Sequence, residues 1–173
     1  YTPAGALDTT FGTGGKVTTA IGNGADIGYG VAVDSQDRVV VAGRSHNGSD
    51  SDFAVVRYTS AGVLDTSFGT GGKVTTAIGN GEEHGYAVVV DSDDRVVVAG
   101  YSNNNSDQDF AVTRYTSAGA LDTSFGTDGK VTTAIGNSND YVLGVAVDSQ
   151  DRIVVAGYSS NGGNGDFAVV RYT

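Results

Sequence analysis

The 173-residue chain has no Cys, no Met, no Trp and a single Pro, and it sets only 10 Lys+Arg against 20 Asp+Glu. Each shortage closes a class of function. Without Cys there is no disulfide, no thiolate nucleophile, no Cys-bound zinc and no iron–sulfur cluster. Two His with no Cys leave little for a transition metal, so neither a metal nor a cofactor is expected. A net charge of −10 disfavours nucleic acid, whose phosphates call for clustered Lys and Arg. No apolar run approaches the roughly 18 residues of a helical membrane span, so no membrane partner is expected. No charged-then-apolar leader is legible. The chain opens on Tyr1 and is read as a processed product or a piece of something longer. What is abundant is Gly, at 27 residues, much of it in short runs that recur.

The recurrence has a fixed period. Tyr1, Tyr58, Tyr115 and Tyr172 are evenly spaced along the chain, and Phe11, Phe68 and Phe125 keep the same spacing, as do Asp37, Asp94 and Asp151. The copies align without a gap; the first and second differ at 14 of 57 positions, the second and third at 18. Similarity at that level means one supersecondary unit written three times. The boundaries fall at 1–58, 59–115 and 116–173.

Each copy reads as four strands. In the second, Lys73-Val-Thr-Thr-Ala-Ile78 alternates apolar and hydroxyl residues, the pattern of a strand with one wetter face. Tyr86-Ala-Val-Val-Val90 and Arg95-Val-Val-Val-Ala99 are β-branched runs whose continuous apolar character implies burial on both faces. Asp109 to Tyr115 is the fourth. Asp91-Ser-Asp-Asp94 supplies a polar hairpin turn in which side chains bond their own backbone. No segment carries a capped helical period. The fold class is therefore all-β, and four-stranded sheets buried on both faces stack on one another as the blades of a propeller. Leu7 and Phe11, Leu64 and Phe68, and Leu121 and Phe125, on the linkers, are expected to plug the seams between blades. The Lys16, Thr18, Thr19 strand and its equivalents are placed at the centre of the ring.

Three segments per copy carry a resemblance. Gly62 to Val74 (Gly-x-Leu-Asp-x-Ser-Phe-Gly-x-x-Gly-Lys-Val), Val88 to Gly100 and Asp109 to Tyr115 resemble the delta-60 repeat, a bacterial β-propeller-like family. The likeness spans essentially the whole chain and recurs three times. One departure is Gln36-Asp37-Arg38, where that family often has Asp-Gly-Lys. The resemblance implies a propeller scaffold in an extracellular or cell-surface bacterial protein, and it implies no catalytic residue. Near-identical copies free of Met and Cys also fit a designed or reconstructed propeller.

Propellers typically carry about 4–8 blades. Three four-stranded antiparallel blades would leave two apolar faces in water, and a patch of that size is an association site. The first and last blades are complementary, so the contact runs head-to-tail and closes into a ring. The expected partner is the chain itself, as a homodimer of six blades or a homotrimer of nine. A threefold β-prism or β-trefoil is the closed monomeric alternative, though the period is a long one for a trefoil.

The charges divide in two. Lys16, Arg38 and Arg57, with Asp8, Asp34, Asp37 and Asp52, recur in every copy and read as scaffold: Asp65 organising a turn, Arg57 or Lys73 pairing with a carboxylate. Asp26, Asp50, Glu82, Glu83, Asp93, Asp107, Asp128 and Asp140 are read as particular to single copies, most of them in loops at one end of the sheets. That end also holds Arg44, His46, His84, Tyr101, Tyr141 and Tyr158. Aromatic rings beside Asn and Asp on a rigid scaffold suit sugars or polar peptides. The candidate ligand set is Arg44, His46, Glu82, Glu83, His84, Tyr101, Asp107, Asp140, Tyr141 and Tyr158; the competing reading is solvated loops that keep acids for solubility. Asn47 to Asp52 and Ser106 to Asp109 are acidic but lack the closing bidentate Glu of a calcium loop. With no tuned acid–base pair or activated nucleophile in view, the chain is expected not to be an enzyme. It reads as a self-assembling structural scaffold, or alternatively as a lectin-like module that uses the variable acidic face.

Overall fold

A computed structural model describes residues 5–104, 106–161 and 163–173. Eleven strands form three antiparallel sheets among these residues. The first holds β1 (Asp26–Val33), β2 (Val39–His46), β3 (Ser51–Tyr58) and β4 (Lys73–Thr76) in that order. The second holds β5 (Glu83–Val90), β6 (Val96–Asn103), β7 (Gln108–Tyr115) and β8 (Lys130–Thr133). The third holds β9 (Asp140–Val147), β10 (Ile153–Asn161) and β11 (Asn164–Tyr172).

Two expectations are corrected here. The Lys-Val-Thr-Thr strand is not central. β4 pairs with β3 of the preceding repeat, Phe53 against Thr76 and Val56 against Lys73, and so forms the far edge of that sheet. The inner edges are β1, β5 and β9, which lie next to one another. The hydroxyl-rich face reads as a wet strand from its sequence, and a wet strand suits an outer rim as well as an aqueous channel. The second correction follows from the first. Two sheets have four strands, but the third has three, because its fourth would come from a following repeat. Sheets and sequence repeats are therefore offset: β4 lies within 59–115 but belongs to the first sheet.

The sheets stack through seams built on a period of two. Val96 and Val98 of β6 face the first sheet and meet Val40, Ala42, Phe53 and Val55. Val97 and Ala99 face the third and meet Val142, Ile153 and Val155. This explains the unbroken apolar run: each side of β6 lies in a different seam. Phe68 is fully buried in the first seam and Phe125 nearly so in the second. Leu64 and Leu121 are half-buried, Phe11 likewise, and Leu7 is 40% exposed.

The recurring charges hold these plugs. Arg57, 1% exposed, lies with its guanidinium carbon 4.5 Å from the Phe68 ring centre. It donates to Asp65 Oδ2 at 2.8 Å and crosses to the Ser117 carbonyl at 2.7 Å. Arg114, Asp122 and Phe125 repeat the arrangement. At the opposite turns, Asp34 Oδ1 accepts from the Gln36 and Arg38 amides. Asp37 there takes a left-handed φ of 57°, which Asp tolerates better than most residues. Lys73 donates to the Ala20 carbonyl and not to a carboxylate.

Replacing Phe68 by Ala is expected to destabilise the fold by about 3–5 kcal/mol, and Leu7→Ala by about 1 kcal/mol or less, in chemical denaturation. Equal losses at the two sites would contradict the seam assignment.

Candidate functional site

Three positions per repeat converge beside the inner edges. On β1, β5 and β9 the first is Ile27, His84 and Tyr141; the second, two residues on, is Tyr29, Tyr86 and Leu143. The third, on β2, β6 and β10, is Arg44, Tyr101 and Tyr158. Each inner strand carries a bulge at the second position, where its register with the neighbour shifts. A bulge bends the strand and re-aims its side chain. It also drives backbone into the partner strand. A Cβ at Gly43, Gly100 or Gly157 would lie within 2 Å of the opposing carbonyl oxygen of Ile27, His84 or Tyr141, so only Gly fits there.

The result is a continuous aromatic patch. Ring centres lie 4.9 Å apart for Tyr29 and Tyr86, 4.8 Å for His84 and Tyr101, 5.7 Å for Tyr101 and Tyr141, and 5.0 Å for Tyr141 and Tyr158. His84 is its hub. Arg44 Nη1 stands 3.2 Å from His84 Nε2, while Nδ1 lies 3.2 Å from Tyr86 OH and 3.1 Å from Tyr101 OH. Arg has no acceptor, so its contact calls for an unprotonated Nε2 and a neutral imidazole with its proton on Nδ1, facing the phenols, while the Glu82 carboxylate beside the same Nε2 favours a proton there. Glu82 Oε2 lies 3.6 Å from Arg44 and 3.4 Å from His84. Burial pushes the His84 imidazole below its ordinary 6.5, and the Arg44 charge adds to that. Burial likewise raises the Tyr86 and Tyr101 phenols, which stay protonated and are poor nucleophiles. Such a patch offers flat rings for stacking, a guanidinium donor and a carboxylate acceptor.

Of the residues singled out from the sequence, Arg44, Glu82, His84, Tyr101, Tyr141 and Tyr158 come together in this patch. Glu83, Asp140, His46 and Asp107 lie elsewhere. Glu83, fully buried, accepts from the Ile78 amide at 2.7 Å, from the Gly79 amide and from Ser102 Oγ. Asp26 accepts from the Ile21 amide and Asp140 from the Ile135 amide, both at 2.8 Å. These three acids occupy the same position in successive repeats. They are one recurring device that ties each outer strand to the next inner strand, and not acids particular to single copies. Burial raises Glu83 even so, because it lies inside the stack. Asp107 closes the β6–β7 turn against Asn104, and His46 packs its ring beside Gly24. Tyr29 and Tyr86 were missed. Their signal is an aromatic directly after a Gly, at equal positions in two copies. In the acidic turn at 47–52, Asn47 Nδ2 donates to both Asp50 and Asp52. No cluster of three or more His, Asp or Glu that could hold a metal forms among the described residues.

The geometry is a stack of antiparallel sheets with their inner edges together, and comparison with known proteins agrees. A family described as a domain of unknown function (DUF5122) beta-propeller matches residues 37–68, 92–125 and 151–173. The chain belongs to the DUF5122 β-propeller family. No curated protein matches it. The matched stretches cover the turn, the buried strands and the linker plug, the parts of each repeat that build the seams. The inner strands β1, β5 and β9 lie outside them, while Arg44, Tyr101 and Tyr158 of the patch lie within.

By NMR, His84 is expected to titrate below 6.5, and Arg44→Gln to move it upward. The folded state resists this proton more than the unfolded state does. Stability should therefore fall as pH drops through about 6.5 and level off below the folded value, with a smaller fall in Arg44→Gln. A His84 that titrates above 6.5 would contradict the dominance of burial and the Arg44 charge over Glu82.

Proposed function

We propose that the chain is a non-catalytic β-propeller scaffold that assembles head-to-tail with copies of itself into a closed ring of six or nine blades, in a structural or interaction role. One observation carries the reading. Phe53 and Phe110 are fully buried in seams, whereas Phe167, the same residue in the third sheet, is 102% exposed. Val169 is 67% exposed where Val55 and Val112 are at 0%. A face built for a seam is bare, and a further sheet of the same kind is what fits it. Within the family, the delta-60 repeat is the finer assignment we adopt, with an extracellular or cell-surface setting in a bacterial parent. In a designed or reconstructed propeller, self-assembly would itself be the function. The absence of an activated nucleophile from the patch supports a role without catalysis.

A second reading rests on the aromatic patch. Stacked rings beside Arg44 and Glu82 favour a polar ligand with an apolar face, of which a sugar is the simplest.

Light scattering is expected to give about 35 or 52 kDa, two or three copies of 17.5 kDa; a stable 17.5 kDa particle at micromolar concentration would defeat the assembly reading. For the ligand reading, titration with mono- and disaccharides should quench Tyr fluorescence in the parent and lose that response in Tyr101→Ala. A flat titration with every sugar would leave the scaffold alone.

A further inference from the structure

Each complete sheet takes its outer strand from the following repeat, and the third has none among the described residues. β11 therefore ends its sheet with an open hydrogen-bonding edge. A matching strand is present at the other end of the chain. Lys16-Val-Thr-Thr19 repeats the sequence of β4 and β8 but belongs to no sheet. It is nevertheless held where the outer strand of a preceding sheet would run. Tyr58 OH donates to Thr19 Oγ1 at 2.8 Å and Lys73 Nζ to the Ala20 carbonyl at 2.8 Å. The same bonds dock β4 on the second sheet, from Tyr115 OH to Thr76 at 2.8 Å and from Lys130 Nζ to Ala77 at 3.2 Å. Because Tyr58 pins it to the first sheet, it cannot reach β11 of its own chain, two seams away.

The charges are divided in the same way. Arg57 pairs with Asp65 and Arg114 with Asp122. The next members of these two series are Arg171, at one end of the chain, and Asp8, at the other. Turns show a parallel series: Ser35 donates to Asp94 and Ser92 to Asp151, each reaching the next sheet, which leaves Ser149 and Asp37 as the remaining match.

We propose that a second copy of this chain supplies its Lys16–Thr19 as the fourth strand of the third sheet. The register follows from Phe53↔Thr76 and its neighbours: Phe167↔Thr19, Ala168↔Thr18, Val169↔Val17 and Val170↔Lys16. Arg171 closes on Asp8 of that copy and packs over its Phe11. The proposal rests on the assembly reading and adds which strand, in which register, makes the joint. It is strand addition to an open edge, with backbone bonds for affinity and the ion pair for direction.

Absence of Cys makes the test clean. Val17→Cys with Val169→Cys, mildly oxidised, is expected to give a covalent dimer or trimer on a non-reducing gel. Thr18→Cys with Val169→Cys should give none, because a one-residue slip turns the side chain to the other face. Arg171→Asp should weaken assembly by about tenfold or more, and adding Asp8→Arg should restore it. In the unaltered chain, the amides of Phe167, Val169 and Arg171, which face the open edge as the Arg57 amide faces Gly72, should be protected from hydrogen exchange at assembling concentrations and lose protection on dilution. An assembled chain that cross-links equally in both pairs, or in neither, or that leaves those amides unprotected, overturns the strand joint while self-assembly stands. A cross-linked monomer overturns it too. A particle that is monomeric at every concentration removes both.

Discussion

Every complete sheet of this protein takes its outermost strand from the repeat that follows it in the chain, and the rest of the structure depends on that exchange. A strand edge left open is a template for pairing with whatever passes. By placing β4 on β3 and β8 on β7, the chain covers two such edges with its own continuation and ties neighbouring sheets together covalently. The recurring acid at Asp26, Glu83 and Asp140 works at the same junction. It caps the amides where the outer strand of one sheet turns inward to begin the next. No single repeat is therefore a folding unit. A stretch such as 59–115 contains the edge of one sheet and most of another, and neither is complete without its neighbour.

The seams show how the exchange is made specific. Apolar sheets of Val and Ala would slide over one another if shape were their only guide. The buried Arg57 opposes sliding. Its guanidinium lies against Phe68, its Nε is fixed on Asp65, and its Nη1 reaches the Ser117 carbonyl across the seam. Taking a guanidinium out of water costs energy that its partners roughly offset, so the net gain in stability is modest. What the arrangement adds is position. A plug shifted by one residue would leave a buried charge with no carboxylate, and that penalty sets the linker against the sheet it closes.

Much of this was legible in residue order, and the misses have physical causes. The period, the all-β class, the both-faces-buried middle strands and the Phe68 and Phe125 plugs all follow from local pattern, because neighbours in sequence decide them. Which edge of a sheet a strand occupies is not local. Lys73-Val-Thr-Thr76 has the same alternation whether its wetter face lines a channel or a rim, and only its pairing with Phe53–Val56 decides. The site was half legible for a similar reason. Arg44, His84, Tyr101, Tyr141 and Tyr158 stood out as chemistry that differs between near-identical copies. Tyr29 and Tyr86 did not, since an aromatic on a strand beside Val reads as core until a bulge turns it away. Glu83 and Asp140 misled because Asp and Glu, though different letters, do one job at one position.

Comparison of the copies with one another separates two kinds of surface. The anchors of the seams and plugs are the same residue in all three: Phe53, Phe110 and Phe167; Arg57, Arg114 and Arg171; Asp8, Asp65 and Asp122. Positions that meet at the inner edge are not: Ile27, His84 and Tyr141; Arg44, Tyr101 and Tyr158. The bulge makes this division mechanical. It lifts one side chain per sheet out of the seam packing, and the Gly opposite absorbs the backbone shift. A residue so lifted can change from Tyr to Leu, as between Tyr86 and Leu143, without altering the volume of any seam. Seam anchoring and presentation are thereby carried by different residues on the same strands, so the chemistry shown at the inner edges can vary from sheet to sheet while the Phe, Arg and Asp anchors stay the same.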